Sequence, residues 1–224
     1  GIGEKTYDKV NSFAELSTLL TGALAEYNEV NAVMDLVLFE DAMRHVSRIN
    51  RIIESPGGHA LLVGVGGSGK QSLSKLATYV TGYSVSQIVI SATYGVNDLR
   101  NDLQIMYRKA GVKGEGIAFL FTDSQITDER FLVFLNDLLS SGNIPGLFPP
   151  EDQDDIINAV RPACKRSGLP DTRDNCWQFF INTVKANLHV LLCFSPIGDP
   201  IRVRARRFPA LVNCVVIDWF QPWP

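Results

Sequence analysis

Histidine and cysteine are scarce in this chain, and the scarcity narrows its chemistry. His45, His59 and His189 are scattered, and Cys164, Cys176, Cys193 and Cys214 show no paired ligand spacing, so no metal cage of these residues is expected. Cys193 and Cys214 sit in apolar, strand-like runs and read as reduced core residues. No run of about 18 apolar residues occurs, so no transmembrane helix is expected. Gly1 to Val10 lack the basic-then-apolar order of a secretory signal. Positive charge is not in excess: 21 Lys and Arg face 24 Asp and Glu, a net charge of −3, which argues against a general nucleic-acid-binding surface. Internal repeats and low-complexity tracts are also missing. What the chain does have is apolar content, 46% of its 224 residues, enough to bury the core of one large α/β domain or two small ones.

The most informative stretch is Leu61-Leu62-Val63-Gly64-Val65-Gly66-Gly67-Ser68-Gly69-Lys70-Gln71-Ser72. An apolar strand leads into Gly-x-x-x-x-Gly-Lys, and an amphipathic helix follows with Leu73, Leu76, Ala77 and Val80 at helical spacing. This is the order of a phosphate-binding P-loop. Glycines let the backbone wrap an anion closely, and the amides of the loop and helix start point at it with a favourable helix dipole. Lys70 is expected to reach the β- and γ-phosphates. Gln71 stands where the motif places a Ser or Thr for Mg²⁺. Ser72 is no obvious substitute, because one step along a helix rotates the side chain by about 100°.

The remaining pattern alternates helices and strands. A capping box at Ser12-Phe13-Ala14-Glu15 opens a helix to about Glu29, and a second helix covers Phe39 to Ile53. Strands are expected at Ala60 to Gly64, Val85 to Ile90, Ile117 to Thr122, Leu188 to Phe194 and Val212 to Asp218. Helices are expected at Lys70 to Val80, Val96 to Ala110 (ended by Gly111), Asp128 to Ser140, and, as two short pieces, Asp152 to Val160 and Asp174 to Lys185. This order predicts a parallel sheet with right-handed crossovers. The last residues, Trp219 to Pro224, follow a core strand directly, which reads as the cut edge of a longer chain.

Ile117-Ala118-Phe119-Leu120-Phe121-Thr122-Asp123 is an apolar strand ending in an acid. In a parallel sheet it ends on the P-loop side, so Asp123 can hold Mg²⁺ beside phosphates; capping of the following turn is the plainer role. The next position usually carries a Glu that polarises the attacking water. Here it is Ser124, and losing a positioned base typically costs a factor of about 10²–10⁴ in rate. Ser195, after the fourth strand, is a candidate contact to the γ-phosphate or to water, or else a strand-end cap. Arg202-Val203-Arg204-Ala205-Arg206-Arg207 is the one dense basic cluster. It reads as a solvated helix face or as a finger for a neighbouring subunit's nucleotide; without interleaved aromatics it is a poor nucleic-acid patch.

Five stretches together resemble an AAA+ module of the dynein heavy-chain family, specifically the fourth module of the axonemal branch. They are Met34 to Ala42, His45 to Ile49, Leu61 to Leu73, Phe119 to Asp123, and Arg206-Arg207-Phe208-Pro209-Ala210-Leu211. The resemblance runs from about Tyr7 to Pro224. It implies an α/β fold with a five-stranded parallel sheet, order 5-1-4-3-2, sandwiched by helices. Residues 1–58 would be a helical segment leading into a P-loop core at 59–224, with the helical lid and microtubule-binding stalk outside this stretch. It implies bound ATP or ADP with Mg²⁺, Leu36 and Val37 near the adenine, and Arg206 (or Arg204 or Arg207) facing the third module's nucleotide. The fourth module is regulatory in this family, and Gln71 and Ser124 suit weak or absent hydrolysis. Implied partners are neighbouring modules of the same heavy chain and, through the full motor's stalk, the microtubule; neither nucleic acid nor membrane is implied. The implied location is the cytoplasm and cytoskeleton, in the axoneme of a cilium or flagellum. A competent ATPase drawing its base from elsewhere and a structural wedge independent of nucleotide remain open. A phosphotransferase needs an acceptor pocket, and none is identifiable.

Overall fold

The computed structural model describes residues 13–34, 36–66, 68–197 and 200–220. Five parallel strands form its centre: β1 (Ala60–Val63), β2 (Ser84–Ser86), β3 (Ile117–Thr122), β4 (Leu188–Phe194) and β5 (Val216–Trp219). Their spatial order is β2-β3-β4-β1-β5, the order the resemblance implies. The three central strands are buried at every residue, which is why they read as uninterrupted apolar runs. Alternation within those runs divides the core in two. Leu61, Val63, Phe119, Phe121, Val190, Leu192 and Phe194 face one layer, and Ala60, Leu62, Ala118, Leu120, Leu191 and Cys193 face the other.

The second layer is built by α1 (Phe13–Val30), α2 (Glu40–Glu54) and α3 (Lys70–Thr81). Ala42, Met43, Val46, Ile49, Ile52 and Ile53 of α2 are buried at helical spacing and share one cluster with Leu73, Leu76 and Ala77 of α3. Ser12, the expected cap of α1, lies outside the described residues. The first layer holds α4 (Val96–Gly111), α5 (Phe131–Ser140), α6 (Pro150–Arg166) and α7 (Arg173–Asn187). Two short helices, α8 (Pro200–Arg207) and α9 (Ala210–Asn213), lead from β4 to β5.

Several expected boundaries are corrected. The second strand stops at Ser86 rather than Ile90: the Ile88 side chain is buried, and its carbonyl accepts from Gln125 Nε2 at 3.1 Å, so the backbone has left the ladder. The fifth strand begins at Val216 rather than Val212, because Pro209 starts the α9 turn. Cys214 therefore lies after a helix, half-buried, and not in a strand. The helix expected from Asp128 starts at Phe131. The short helix expected at Asp152 to Val160 runs from Pro150 to Arg166; Pro150 sits in its first turn, where no amide is missed, and Pro162 is tolerated inside it. Gly111 is the last residue of α4, so the helix ends there as expected, one residue later than Ala110. A Cβ there would come within 2.3 Å of the Phe180 ring, so its role is close packing of α4 on α7.

Candidate functional site

The ends of β1, β3 and β4 meet at one edge of the sheet, and the predicted phosphate loop leaves from the first of them. Gly69 is the N-cap of α3, at φ 81°, a left-handed conformation that disfavours any side chain. The Ser68 amide donates to the Val65 carbonyl at 3.2 Å, closing the loop. Gly66 has no atom within 4 Å of the position a Cβ would take, so the loop is open on that side. Gly64 differs: a Cβ there would meet Phe220 Cβ at 2.8 Å and Ser68 Oγ at 2.9 Å. Its missing side chain makes room for the chain after β5, whose Phe220 amide donates to the Val63 carbonyl at 2.7 Å. Gly67 lies outside the described residues.

The Lys70 ammonium points into this loop. It donates to the Gly64 carbonyl, to the Val65 carbonyl at 3.2 Å and to Ser68 Oγ at 3.3 Å. Burial lowers its pKa, while Cys193 and Asp123 act in the opposite direction. Cys193 is buried, and burial pushes its thiol up to about 12, so it is no nucleophile at neutral pH. Gln71 is exposed and Ser72 half-buried.

Asp123 follows β3 directly and is half-buried. One of its oxygens, Oδ2, accepts from the Ser195 amide at 2.8 Å. Ser195 thus reaches Asp123 through its backbone. Ser124 Oγ lies 2.8 Å from Thr122 Oγ1, engaged with a neighbouring hydroxyl and not with a base. Asp123, Ser124, Phe194, Ser195, Ile201 and Arg204 line a cavity of about 310 Å³.

The residues present fit a phosphate chain and a magnesium ion differently. The loop supplies an open backbone concavity, a helix start and an ammonium, the chemistry of a phosphate cradle. For the metal, Asp123 is the acid in place. Among the described residues no three His, Cys, Asp or Glu side chains converge. That suits Mg²⁺, which is commonly held by one or two carboxylates together with phosphate oxygens and water.

The family-implied residues are spread more widely. Leu36 is buried in the layer of α1 to α3, whereas Val37 is 66% exposed. Arg206 and Arg207 are exposed, the latter stacked over Phe208 at 5.4 Å. Arg204 turns back into its own chain and pairs with Glu129 at 3.0 Å.

Sequence reasoning missed a second cluster beside the loop. Asp218 of β5 is fully buried and accepts from Arg48 and, at 2.8 Å, from His45 Nδ1. The His45 ring stacks on Phe220, centroids 3.9 Å apart, and Phe220 is the residue packed on Gly64. A helix-to-strand ion pair therefore backs the entrance of the loop. Its sequence signal is an acid among apolar strand residues, with His45 and Arg48 three apart on one helix face.

A family profile described as P-loop-containing dynein motor region D4 matches residues 34–224. Over all 224 residues the chain is 60% identical to the dynein alpha chain of the flagellar outer arm from Chlamydomonas reinhardtii. It is 58% identical over the same span to dynein axonemal heavy chain 17 from Homo sapiens, and 56% identical to the ciliary dynein beta chain from Tripneustes gratilla. In each case all of this chain is covered, and it spans about 5% of the relative's length.

Proposed function

Because the chain belongs to the family of P-loop-containing dynein motor region D4, we propose that it is the nucleotide-binding fourth module of an axonemal dynein heavy chain, binding ATP or ADP with little or no turnover. The observation that carries this reading is the Lys70 ammonium held inside an open glycine loop, with Asp123 near enough to act on its charge. Lys70 and the loop amides bind and orient the phosphates. Asp123 supplies the carboxylate for Mg²⁺, which when bound neutralises phosphate charge.

Weak turnover follows from what lines the cavity. Among the described residues Asp123 is its one carboxylate. An acid that holds a cation cannot also serve freely as base, and the Ser124 hydroxyl is engaged with Thr122. Bound nucleotide then acts by ordering the cleft with neighbouring modules, a coupling free energy and not local catalysis. Arg206, exposed on α8, is assigned in this reading to a neighbouring module's phosphates rather than its own. A guanidinium offers the rigid paired donors that such contacts use. In the longer heavy chain the partners are the adjacent modules and, through the stalk, the microtubule; the location is the axoneme.

Calorimetric titration of wild type and Lys70→Ala with ADP and Mg-ATP tests the reading. Loss of a charge-assisted contact should weaken binding by roughly 1.5–3 kcal/mol, about ten- to hundredfold. Equal affinities for the two proteins would remove Lys70 from the site.

A further inference from the structure

The geometry points to Arg204 as a residue of this chain's own site, one that distinguishes a nucleoside triphosphate from a diphosphate, with Glu129 as its positioning residue. The inference rests on the nucleotide-binding reading above.

The four arginines of α8, Arg202, Arg204, Arg206 and Arg207, share a charge but not an environment. Arg206 and Arg207 are exposed. The Arg204 side chain is only 18% exposed, and it lines the same cavity as Asp123, Ser124 and Ser195. Its Nε and Nη2 both donate to Glu129 Oε1, at 3.1 and 3.0 Å. Two donors on one oxygen fix the guanidinium plane, while Nη1 makes no hydrogen bond among the described residues. A guanidinium anchored at one edge with donors left over is suited to receive an anion at the other.

The position of the cavity selects the anion. Asp123 follows β3 and Ser195 follows β4, and β4 pairs with β1, which carries the loop and Lys70. Parallel strands lie about 4.8 Å apart, so the wall holding Arg204 begins one to two strand spacings from the lysine. The loop amides and Lys70 serve phosphates at the loop itself. A group extending from there past Ser195 and Asp123 enters the cavity that Arg204 lines. Only the triphosphate carries a further phosphoryl group, and its added negative charge meets Arg204. Glu129 is not among the groups lining the cavity, so it holds Arg204 from outside it.

The test is a ratio of affinities, measured by calorimetry with ADP and with a thiophosphate analogue of ATP, each with Mg²⁺. Wild type should favour the triphosphate analogue. Arg204→Ala should lower that preference roughly tenfold, the value of one charge-assisted hydrogen bond, and leave ADP affinity unchanged. Arg204→Lys should not restore it, since an ammonium lacks the fork held by Glu129. Glu129→Ala should lower the preference as Arg204→Ala does, whereas Glu129→Gln, which keeps the acceptor oxygen, should retain it. Arg202→Ala, which removes an equal charge from an exposed position of α8, should leave the ratio unchanged. Thermal melts of each variant report folding, and the two conservative variants carry the test if an alanine variant melts early. An unaltered ratio in Arg204→Ala, an equal drop for both nucleotides, or an equal shift in Arg202→Ala would overturn the assignment while leaving nucleotide binding in place. If wild type binds neither nucleotide, the underlying reading falls, and this inference with it.

Discussion

Two aspartates stand at the same edge of this sheet and do opposite things. Asp218 in β5 is fully buried, and both of its oxygens are taken, by Arg48 and by His45. Asp123 after β3 is half-buried and gives one oxygen to a single backbone amide. The first is saturated by side chains of its own domain. Among the described residues the second has only that bond, and it lies near an ammonium that faces loop carbonyls. The acid used for structure is satisfied, whereas the acid we propose for Mg²⁺ keeps capacity in reserve. The buried acid also backs the loop, because the chain leaving β5 packs Phe220 between His45 and Gly64.

Breaking the saturated acid should have the largest effect on stability. Asp218→Ala leaves His45 facing a gap where the carboxylate was; removal of one member of a buried pair costs about 3–5 kcal/mol, and the loss should fall at the low end, about 3 kcal/mol, because Arg48 is 47% exposed and can turn to water. Urea denaturation would measure it. A loss below about 1 kcal/mol would place Asp218 with surface acids and cancel the contrast. A second interior group acts nearly as strongly through pH. His59 is 5% exposed, and burial, with smaller contributions from His189 and Lys185, lowers its pKa from 6.5 to about 4. Its Nδ1 accepts from the Val190 amide at 2.9 Å, so the folded state holds it neutral. The unfolded chain takes up the proton first as pH falls. Stability is therefore full above about pH 6.5 and declines toward pH 4, by about 3 kcal/mol from this group. His59→Gln should flatten that part of the curve, and an unchanged slope would show that the acid sensitivity lies elsewhere.

The unsaturated acid should give the smallest stability effect and a specific binding effect. Asp123→Asn keeps an oxygen for the Ser195 amide and should change stability by no more than about 0.5 kcal/mol, as ordinary surface changes do. Its signature is lost coupling: Mg²⁺ should no longer strengthen nucleotide binding. If Mg²⁺ strengthens binding equally in variant and wild type, the ion is held without Asp123.

This contrast also explains what could be read from the sequence. The three central strands were legible because burial on both faces imposes unbroken apolar runs, and β3 and β4 end where expected, at Thr122 and Phe194. The loop was legible because a strand, glycines, Lys70 and a helix follow one another locally. Edge strands were not, since β2 and β5 expose side chains and their ends are set by contacts such as Gln125 to the Ile88 carbonyl. Gly111 was legible as the end of α4, but its packing on Phe180 was not, since that partner is distant in sequence. The partners of Asp218 lie 173 and 170 residues away, and no local pattern announces such a pair. Arg204 was one of several equivalent arginines until Glu129 singled it out.

The central claim is that this module holds nucleotide without consuming it. Single-turnover filter binding with γ-labelled ATP, protein in excess and Mg²⁺ present, reads both halves at once: retained label reports binding, and released phosphate reports hydrolysis. The account predicts that the label is retained and recovered as intact ATP. Label that washes through, or conversion at about 1 s⁻¹, an ordinary rate for phosphoryl-transfer enzymes, would contradict it.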